Sequence, residues 1–313
     1  MNPRTRRRSF ARLCVPPVLL ILVALVALRA QGPADGQKTF PSSKEAVDNL
    51  IQAVRADNKS ALQAILGPGS EQIVSSGDEV ADKAERTRFL AKYDAKHSLS
   101  ESNPHELTLN VGTDEWPLPI PLVYADGKWY FDGPAGKEEI LYRRIGHNEL
   151  AAIDVCKGVV AAQRDYAATA HDNLPAGTYA QRIVSEPGKQ NGLYWEVKQG
   201  ETPSSAGPLL AAAAEEGYDT SGRRTPYHGY YYRILTAQGS QAKGSAESYI
   251  VDGRMSRGFA FIAYPDQYRA SGVMTFIVNQ DGVIYQKDLG EQTSETAQKM
   301  TDYNPDNSWT RVK

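Results

Sequence analysis

The sequence predicts an α+β protein with two domains: helices packed on a small antiparallel meander, then a long helix with a second antiparallel sheet. Apolar residues recur at helical spacing in the first third of the chain and then alternate, as in strands, over residues 107–131. A long helical stretch follows, and strand-like segments return after residue 229. The chain has 313 residues, more than one hydrophobic core usually serves, and this favours two domains.

The first 30 residues have the plan of a bacterial signal peptide. Residues 1–12 are arginine-rich and contain no acid, residues 13–28 are apolar and uncharged, and Ala30 is the predicted cleavage site. The apolar run is shorter than the roughly 20 residues of a membrane span. We therefore expect a periplasmic or secreted protein with no stable membrane span after processing. The general secretory route is expected, and the twin-arginine route is the alternative because of Arg7-Arg8. A second alternative is that the segment is not cleaved and serves as an N-terminal membrane anchor.

Removal of this segment changes the charge and the cysteine content. Six of the 35 Lys and Arg residues leave with it, so that 29 basic residues face 37 acidic ones, a net charge of about −8. Such an acidic protein is not expected to bind nucleic acid. Cys14 also leaves, and Cys156 then has no partner for an internal disulfide. Because Cys156 lies on an apolar helix face, a buried, inert thiol is predicted, with a reactive thiol as the alternative.

A flexible lead over residues 31–41 precedes the first domain, predicted over residues 42–136. Its helices have cap and stop signals: Ser42 or Ser43 at the start of the first helix and Gly67-Pro68-Gly69 after the second. The first predicted helix begins near residue 42, and the second begins at residue 57. The third covers residues 78–96. The predicted strands cover residues 107–111, 117–123 and 129–131, and Asp126-Gly127 forms a tight turn between the last two. The pattern loosely resembles the cystatin-like and nuclear-transport-factor-like folds.

The second domain is predicted over residues 137–313. It opens with a helix over residues 137–169, which Gly146 can interrupt, while Gly133, Pro134 and Gly136 can break the chain before it. A loop over residues 199–208 leads to a short helix over residues 208–216. The predicted strands cover residues 230–235, 259–264, 274–278 and 283–285. The last two form the clearest hairpin, with Asp281-Gly282 in its turn.

Four runs of sequence carry a resemblance that covers nearly the whole chain after the signal peptide. They are Trp129–Asp132, Arg143–Leu150, Tyr227–Leu235 and Met274–Tyr285. On these runs the chain is identified as a member of the bacterial family "domain of unknown function 2950". The resemblance implies a protein of the cell envelope. It assigns no activity and no functional residues.

A second resemblance covers residues 149–285, which look like the soluble head of a type IV pilin or a type II secretion pseudopilin. The helical runs Glu149–Ile153 and Ala161–Tyr166, a variable loop and the hairpin Phe276–Tyr285 carry it. Pilins have an apolar assembly helix directly before this segment. Here that place is held by Glu138, Glu139, Arg143, Arg144 and His147, which cannot lie in a bilayer. The resemblance therefore implies a pilin-like head that does not polymerise, and we expect a monomer or dimer.

Catalytic motifs are not found in the sequence. It has no G-x-S-x-G, no H-E-x-x-H, no C-x-x-C and no phosphate-binding P-loop, and its 37 acidic residues do not single out a catalytic pair. We therefore expect a non-catalytic binding or assembly factor for an envelope protein or cell-wall glycan. The alternative is a periplasmic hydrolase acting on peptidoglycan, with its site in the cleft between the domains.

Aromatic residues provide the candidate binding site. Tyrosines concentrate in the second domain, where a tyrosine offers apolar area together with a polar tip. The candidate ligand-binding residues are Tyr227, His228, Tyr230, Tyr231 and Tyr232. Strand alternation would place Tyr230 and Tyr232 on one face and Tyr231 on the other, and core packing is the alternative role.

One segment has the spacing of a calcium loop. Asp302, Asn304 and Asp306 place side-chain oxygens at alternate positions, and the pilin-like resemblance implies calcium near this end of the chain. The segment departs from an EF-hand, because Asn307 stands where that loop needs glycine and Lys313 where it needs glutamate. A polar turn is the alternative, and no other cofactor is predicted.

Overall fold

The computed structural model describes residues 32–197, 200–219 and 225–313. The predicted signal peptide and its cleavage site at Ala30 lie outside the described residues. Helices and strands alternate in blocks along the chain. The helices are α1 (Ser43–Arg55), α2 (Lys59–Leu66), α3 (Glu71–Val74), α4 (Glu79–Ala95), α5 (Gly133–Ala168), α6 (Gly207–Glu215) and α7 (Thr293–Lys299).

The strands fall into two larger and two smaller sheets, and the predicted α+β class is confirmed. The strands are β1 (His97–Asn103), β2 (Glu106–Val111), β3 (Trp116–Pro117), β4 (Leu122–Ala125), β5 (Lys128–Phe131), β6 (Tyr230–Leu235), β7 (Ala237–Gln238), β8 (Glu247–Ser248), β9 (Ile250–Val251), β10 (Arg254–Met255), β11 (Ala260–Pro265), β12 (Met274–Asn279), β13 (Tyr285–Asp288), β14 (Asp302–Tyr303) and β15 (Thr310–Arg311).

Local sequence signals explain the first part of the fold. The side chain of Ser42 accepts a hydrogen bond from the Glu45 N–H and caps α1, as predicted. Helix α2 ends at Gly67, whose φ of 87° suits glycine. Asp126 and Gly127 have φ values of 50° and 78°, which is the backbone of the predicted tight turn between β4 and β5. The resulting meander has the order β1-β2-β4-β5, with β3 paired to β2.

One strand of this sheet is not predicted from the sequence, and one predicted strand is wrong. Strand β1 was not predicted, because all of its residues are exposed and it therefore shows no apolar alternation. It pairs with β2 from His97↔Val111 to Asn103↔Glu106. The single strand predicted over residues 117–123 is instead divided between β3 and β4. Pro119 and Pro121 lie between the two strands, and proline cannot donate to a strand ladder.

The second large sheet is antiparallel and has the order β15-β13-β12-β11-β6. The predicted hairpin joins β12 and β13 with Ile277 opposite Tyr285, so that β13 begins at the end of the segment predicted as strand. Helix α5 packs against β11 and β12, and α7 also packs against β11. Strands β11 and β12 are almost wholly buried, and the core of the second half therefore lies along them.

The long helix α5 crosses the predicted domain boundary. The carboxylate of Asp132 caps its first turn by accepting from the Ala135 N–H. The expected breaks at Gly133, Pro134 and Gly136 are absent from the described structure, and Gly146 lies inside an unbroken helix. Pro134 suits the first helical turn. A Cβ atom on Gly133 would lie 2.2 Å from the Leu66 carbonyl oxygen, so this glycine lets α5 approach α2 instead of breaking the chain.

Two hydrophobic clusters are formed by the described residues. The buried members of the first extend from Phe40 to Phe131, and those of the second from Ala152 to Tyr303. Gly32–Lys313 forms one compact unit by its contacts. The strands before α5 and those after it belong to separate sheets. The division at residues 136 and 137 stays a prediction.

Burial of Cys156 agrees with its predicted position. It lies on α5 with no accessible surface and no disulfide partner in the described chain, and burial raises the pKa of its thiol to about 12. Separately, none of the described helices has both the length and the apolar character that a membrane span requires.

Candidate functional site

A tight turn between Tyr227 and Tyr230 lies at the centre of the site. Both residues exchange backbone hydrogen bonds, so that His228 and Gly229 form a two-residue turn with φ values of 49° and 69°. A Cβ atom on Gly229 would lie 2.7 Å from the Asn148 side chain and 2.8 Å from Ser271. Glycine is needed here both for its φ and for this close approach.

Asp78 joins this turn to the first part of the fold. One oxygen of its buried carboxylate caps α4 by accepting from the Ala81 N–H at 2.9 Å. The other accepts from the Tyr218 hydroxyl at 2.9 Å and from the Gly229 N–H at 3.0 Å. One carboxylate thus satisfies three donors from separate segments of the chain. Burial, followed by the charge of Asp78, raises the pKa of Tyr218, which keeps this hydroxyl a donor.

The His228 ring packs against other polar and aromatic side chains. Its Nε2 lies 3.1 Å from a Glu216 carboxylate oxygen, and its ring centroid lies 5.8 Å from that of His147. The side chain is 16% exposed. Burial lowers the pKa of His228, opposed by Glu216 and assisted by His147, so its neutral form is favoured.

A cavity of about 440 Å³ lies beside His228, and we call it the arginine cavity. Most of its wall is apolar and comes from the first four helices, the segment around Trp116 and α5. Four arginines contribute to the lining: Arg86, Arg88, Arg143 and Arg144.

A second cavity of about 470 Å³ lies on the other side of Tyr218, and we call it the tyrosine cavity. Its wall combines four tyrosines with aliphatic residues of α5, α6 and neighbouring loops. Tyr218 lines both cavities. The aliphatic and aromatic lining residues include Val155, Val159, Leu209, Leu210, Ala213, Tyr227, Tyr231, Tyr232, Ile234 and Phe261.

The structure divides the five candidate binding residues among three places. Tyr227, Tyr231 and Tyr232 line the tyrosine cavity, whereas His228 lines the arginine cavity. Tyr230 has no accessible surface, and its hydroxyl donates to the Met274 carbonyl inside the core. Tyr232 stacks on Phe261, and burial raises its pKa far above the ordinary value. Tyr227, Tyr231 and Tyr232 therefore line a concave site, whereas Tyr230 belongs to the core.

The candidate calcium residues make hydrogen bonds within the protein. Asp302 belongs to the short strand β14, paired with β7. An Asn304 oxygen accepts from the Gln241 N–H at 2.8 Å, and an Asp306 oxygen accepts from the Ser308 N–H at 2.8 Å. Within residues 32–197, 200–219 and 225–313, His, Cys, Asp and Glu side chains form no group of three or more suited to a metal ion. Calcium binding stays a prediction.

Three important site residues were not found from the sequence. In the sequence, Asp78 is recognisable only as a possible helix cap, and Tyr218 lies outside every predicted strand. Arg144 is one of several charged residues in the segment that replaces a pilin stalk. Their roles depend on contacts across long sequence separations, such as the bond from Gly229 to Asp78. Local periodicity carries no signal for such contacts.

The fold and the site together define an α+β protein with two largely apolar cavities that share Tyr218 in their walls. The chain belongs to the family described as "Protein of unknown function (DUF2950)", whose sequence profile matches residues 37–312. Comparison with curated proteins and with solved structures found no match.

Proposed function

We propose that this protein is an exported, non-catalytic binding protein of the bacterial envelope, acting as a monomer or dimer, and that its ligand is a small apolar molecule. The observation that carries the proposal is the pair of cavities on either side of Tyr218. Cavities of this size with mainly apolar walls and a few polar groups are typical of small-molecule sites. The signal-peptide pattern of residues 1–30 supports export.

A small apolar ligand fits this geometry better than the protein or glycan partner expected from the sequence. A glycan strand would need exposed aromatic faces and many hydrogen-bonding groups. Tyr230 lies in the core, and the Tyr232 hydroxyl already donates to the Tyr227 carbonyl at 3.2 Å. The aliphatic residues of α5 and α6 opposite them favour an apolar molecule.

We also propose that the second half has the architecture of a pilin head without its ability to polymerise. What supports this is helix α5 lying along the antiparallel sheet of β6, β11, β12, β13 and β15. Glu138, Glu139, Arg143, Arg144 and His147 lie in the first part of α5 beyond its initial turn, where a pilin would have apolar sequence. This proposal concerns architecture and assigns no activity.

Binding of N-phenyl-1-naphthylamine, a neutral apolar dye, tests the proposed function in the mature protein. Ala84→Trp should fill the arginine cavity, and Ala213→Trp should fill the tyrosine cavity, since each alanine lines one of them. Ala91→Trp on α4 and Ala212→Trp on α6 are matched controls, because both alanines are exposed.

We expect saturable dye binding, with dye affinity reduced roughly tenfold or more at the filled cavity and unchanged in the controls. Far-ultraviolet circular dichroism and thermal unfolding confirm that each variant is folded. Absence of saturable binding in the wild-type protein, or equal binding by filled and control variants, would show that the cavities are not ligand sites.

A further inference from the structure

Arg144 differs from the other arginines of the arginine cavity in its partners. It lies on α5, and its two terminal nitrogens donate to backbone carbonyls of α3, at 2.6 Å to Gln72 and 3.2 Å to Ile73. Both acceptors are neutral. These bonds hold the guanidinium at the edge of the cavity and leave part of its donor capacity unused, because a guanidinium has more N–H groups than these two.

Arg144 also has no ion-pair partner in the part of the chain that the structure describes. Its three neighbours in the cavity wall each have one. These pairs are Arg86 with Asp57, Arg88 with Glu85, and Arg143 with Glu139. Among the four arginines that line this cavity in the described structure, Arg144 is therefore the one without direct contact to a carboxylate.

The nearest acidic groups are occupied elsewhere. Asp82 accepts from the Ser76 N–H at 2.9 Å, from the Ser76 hydroxyl at 2.7 Å and from the Ser75 hydroxyl at 3.2 Å. Glu85 pairs with Arg88. Both raise the pKa of Arg144 from a distance, but burial lowers it more. An arginine still keeps its charge in a protein, so a desolvated cation without a contacting counterion faces the cavity.

The wall around this cation is apolar. Leu62, Leu66, Val74 and Phe89 come from the helices before the meander, and Ile140 lies one turn before Arg144 on α5. Residues four apart share one helix face, so Ile140 and Arg144 line the cavity together. The site thus places the positive charge of Arg144 beside a largely apolar volume, whose wall also contains the three ion-paired arginines and the carboxylates of Asp82, Glu85 and Glu216.

We propose that the arginine cavity binds an amphipathic anion, a molecule with one apolar chain and one anionic head group, and that Arg144 binds the head. This inference deepens the proposed function and rests on it. A carboxylate or a phosphate monoester fits the planar fork of a guanidinium, and burial strengthens such charge-assisted bonds. The apolar chain lies against the aliphatic wall, where it leaves water.

Three ligands with the same chain length separate the parts of this proposal. Dodecanoate and dodecyl phosphate carry different anionic heads, and dodecanol carries a neutral one. Each is titrated into the mature protein, below its micelle concentration, and its affinity is measured by displacement of N-phenyl-1-naphthylamine. We expect the wild-type protein to bind at least one anion roughly tenfold to a hundredfold more tightly than dodecanol. The two anions distinguish a carboxylate from a phosphate source.

Substitutions at two neighbouring arginines then locate the head group. In Arg144→Gln the preference for the anion over dodecanol should fall to roughly unity, and Arg144→Lys should retain part of it. Arg143→Gln is the matched control, because Arg143 lines the same cavity but pairs with Glu139 and lies 4.9 Å from the Trp116 ring centroid. It should keep the preference. The ratio of two affinities within one variant is insensitive to general damage to the fold.

The outcomes distinguish this inference from the function on which it rests. Dodecanol binding as tightly as both anions in the wild-type protein would overturn the role of Arg144 and leave a neutral apolar site. A preference that survives Arg144→Gln would overturn it as well. Failure of all three ligands to displace the dye would overturn the proposed function of this cavity. If Arg144→Gln does not fold, Arg144→Lys decides: a reduced preference for the anion supports the role of Arg144, and a preference equal to that of the wild-type protein overturns it.

Discussion

At the scale of single residues, the site depends on side chains that satisfy several partners at once. Asp78 accepts from a helix terminus, a tyrosine hydroxyl and a turn amide. Glu216 contacts the His228 ring and lies 3.5 Å from the Tyr227 hydroxyl. Because Asp78 and Tyr218 are buried, loss of one of these partners leaves the others unsatisfied. The turn at His228 is therefore hydrogen-bonded to the first part of the fold through Asp78, and its residues also contribute to the walls of both cavities.

The lowered pKa of His228 predicts how stability depends on pH. The unfolded chain holds this histidine near its ordinary pKa of 6.5, whereas burial lowers the pKa in the folded state. Between the two values the unfolded state binds more protons, so stability falls as pH decreases below 6.5. Glu216 and Asp78 oppose this shift, and His147 and Arg88 add to it.

We expect His228→Asn to lose less stability than the wild-type protein between about pH 6.5 and 5. Asparagine accepts the left-handed backbone at this position, with its φ of 49°. Urea unfolding at a series of pH values measures the slopes, and His105→Asn is the control, since His105 is exposed. Equal slopes in wild-type and His228→Asn proteins would show that His228 does not titrate differently on folding.

At the scale of elements, two turns of nearly the same backbone differ in their surroundings. His228-Gly229 and Asp252-Gly253 each form a two-residue turn, with φ values of 69° at Gly229 and 74° at Gly253. A Cβ atom on Gly253 would have no neighbour within 4 Å, whereas one on Gly229 would overlap Asn148 and Ser271. Comparison of alanine substitutions in these two turns separates two contributions to the free energy of unfolding: the backbone conformation and the close approach of neighbouring side chains.

We expect Gly253→Ala to cost about 1 kcal/mol of unfolding free energy and Gly229→Ala about 3 kcal/mol. The larger effect arises because an alanine at 229 must displace Asn148 or weaken the bond from the Gly229 N–H to Asp78. Chemical denaturation of both variants measures the difference. Equal losses would mean that the close approach at Gly229 relaxes freely, and that the turn is not a rigid part of the site.

The elements also show which parts of the fold the sequence could predict. Helix α1 and the turn at Asp126-Gly127 were predicted correctly, because caps and turn residues act locally. Strand β1 was missed because its stability comes from pairing with β2 and not from an apolar face. Gly133 and Gly136 are not the breakers that the sequence suggests. The close contacts that they permit, of Gly133 with α2 and of Gly136 with Pro119 and Ile120, are tertiary features.

At the scale of the whole molecule, one helix connects two hydrophobic clusters. Ile140, near the start of α5, packs against the first cluster, while Ala152 to Tyr166 lie in the second. Arg144 and Asn148 lie between them and line the arginine cavity, and Asn148 also lies next to the turn at Gly229. The candidate site could not be predicted from the sequence for this reason: it forms where segments far apart in the chain meet.

This arrangement predicts that the second half folds alone. All buried members of its cluster lie within residues 152–303, so a fragment of residues 137–313 keeps them, together with α5 and both strands of the hairpin. We expect cooperative urea unfolding and a monomer or dimer by light scattering, because residues 138–147 are charged. A fragment of residues 169–313 is the control: without α5, the sheet loses Cys156, Val159 and Val160 from its buried face, and it should not unfold cooperatively. Gradual unfolding of residues 137–313 would mean that both clusters form one folding unit and that the division at residue 136 is wrong.

Filaments of the mature protein would contradict the non-polymerising architecture.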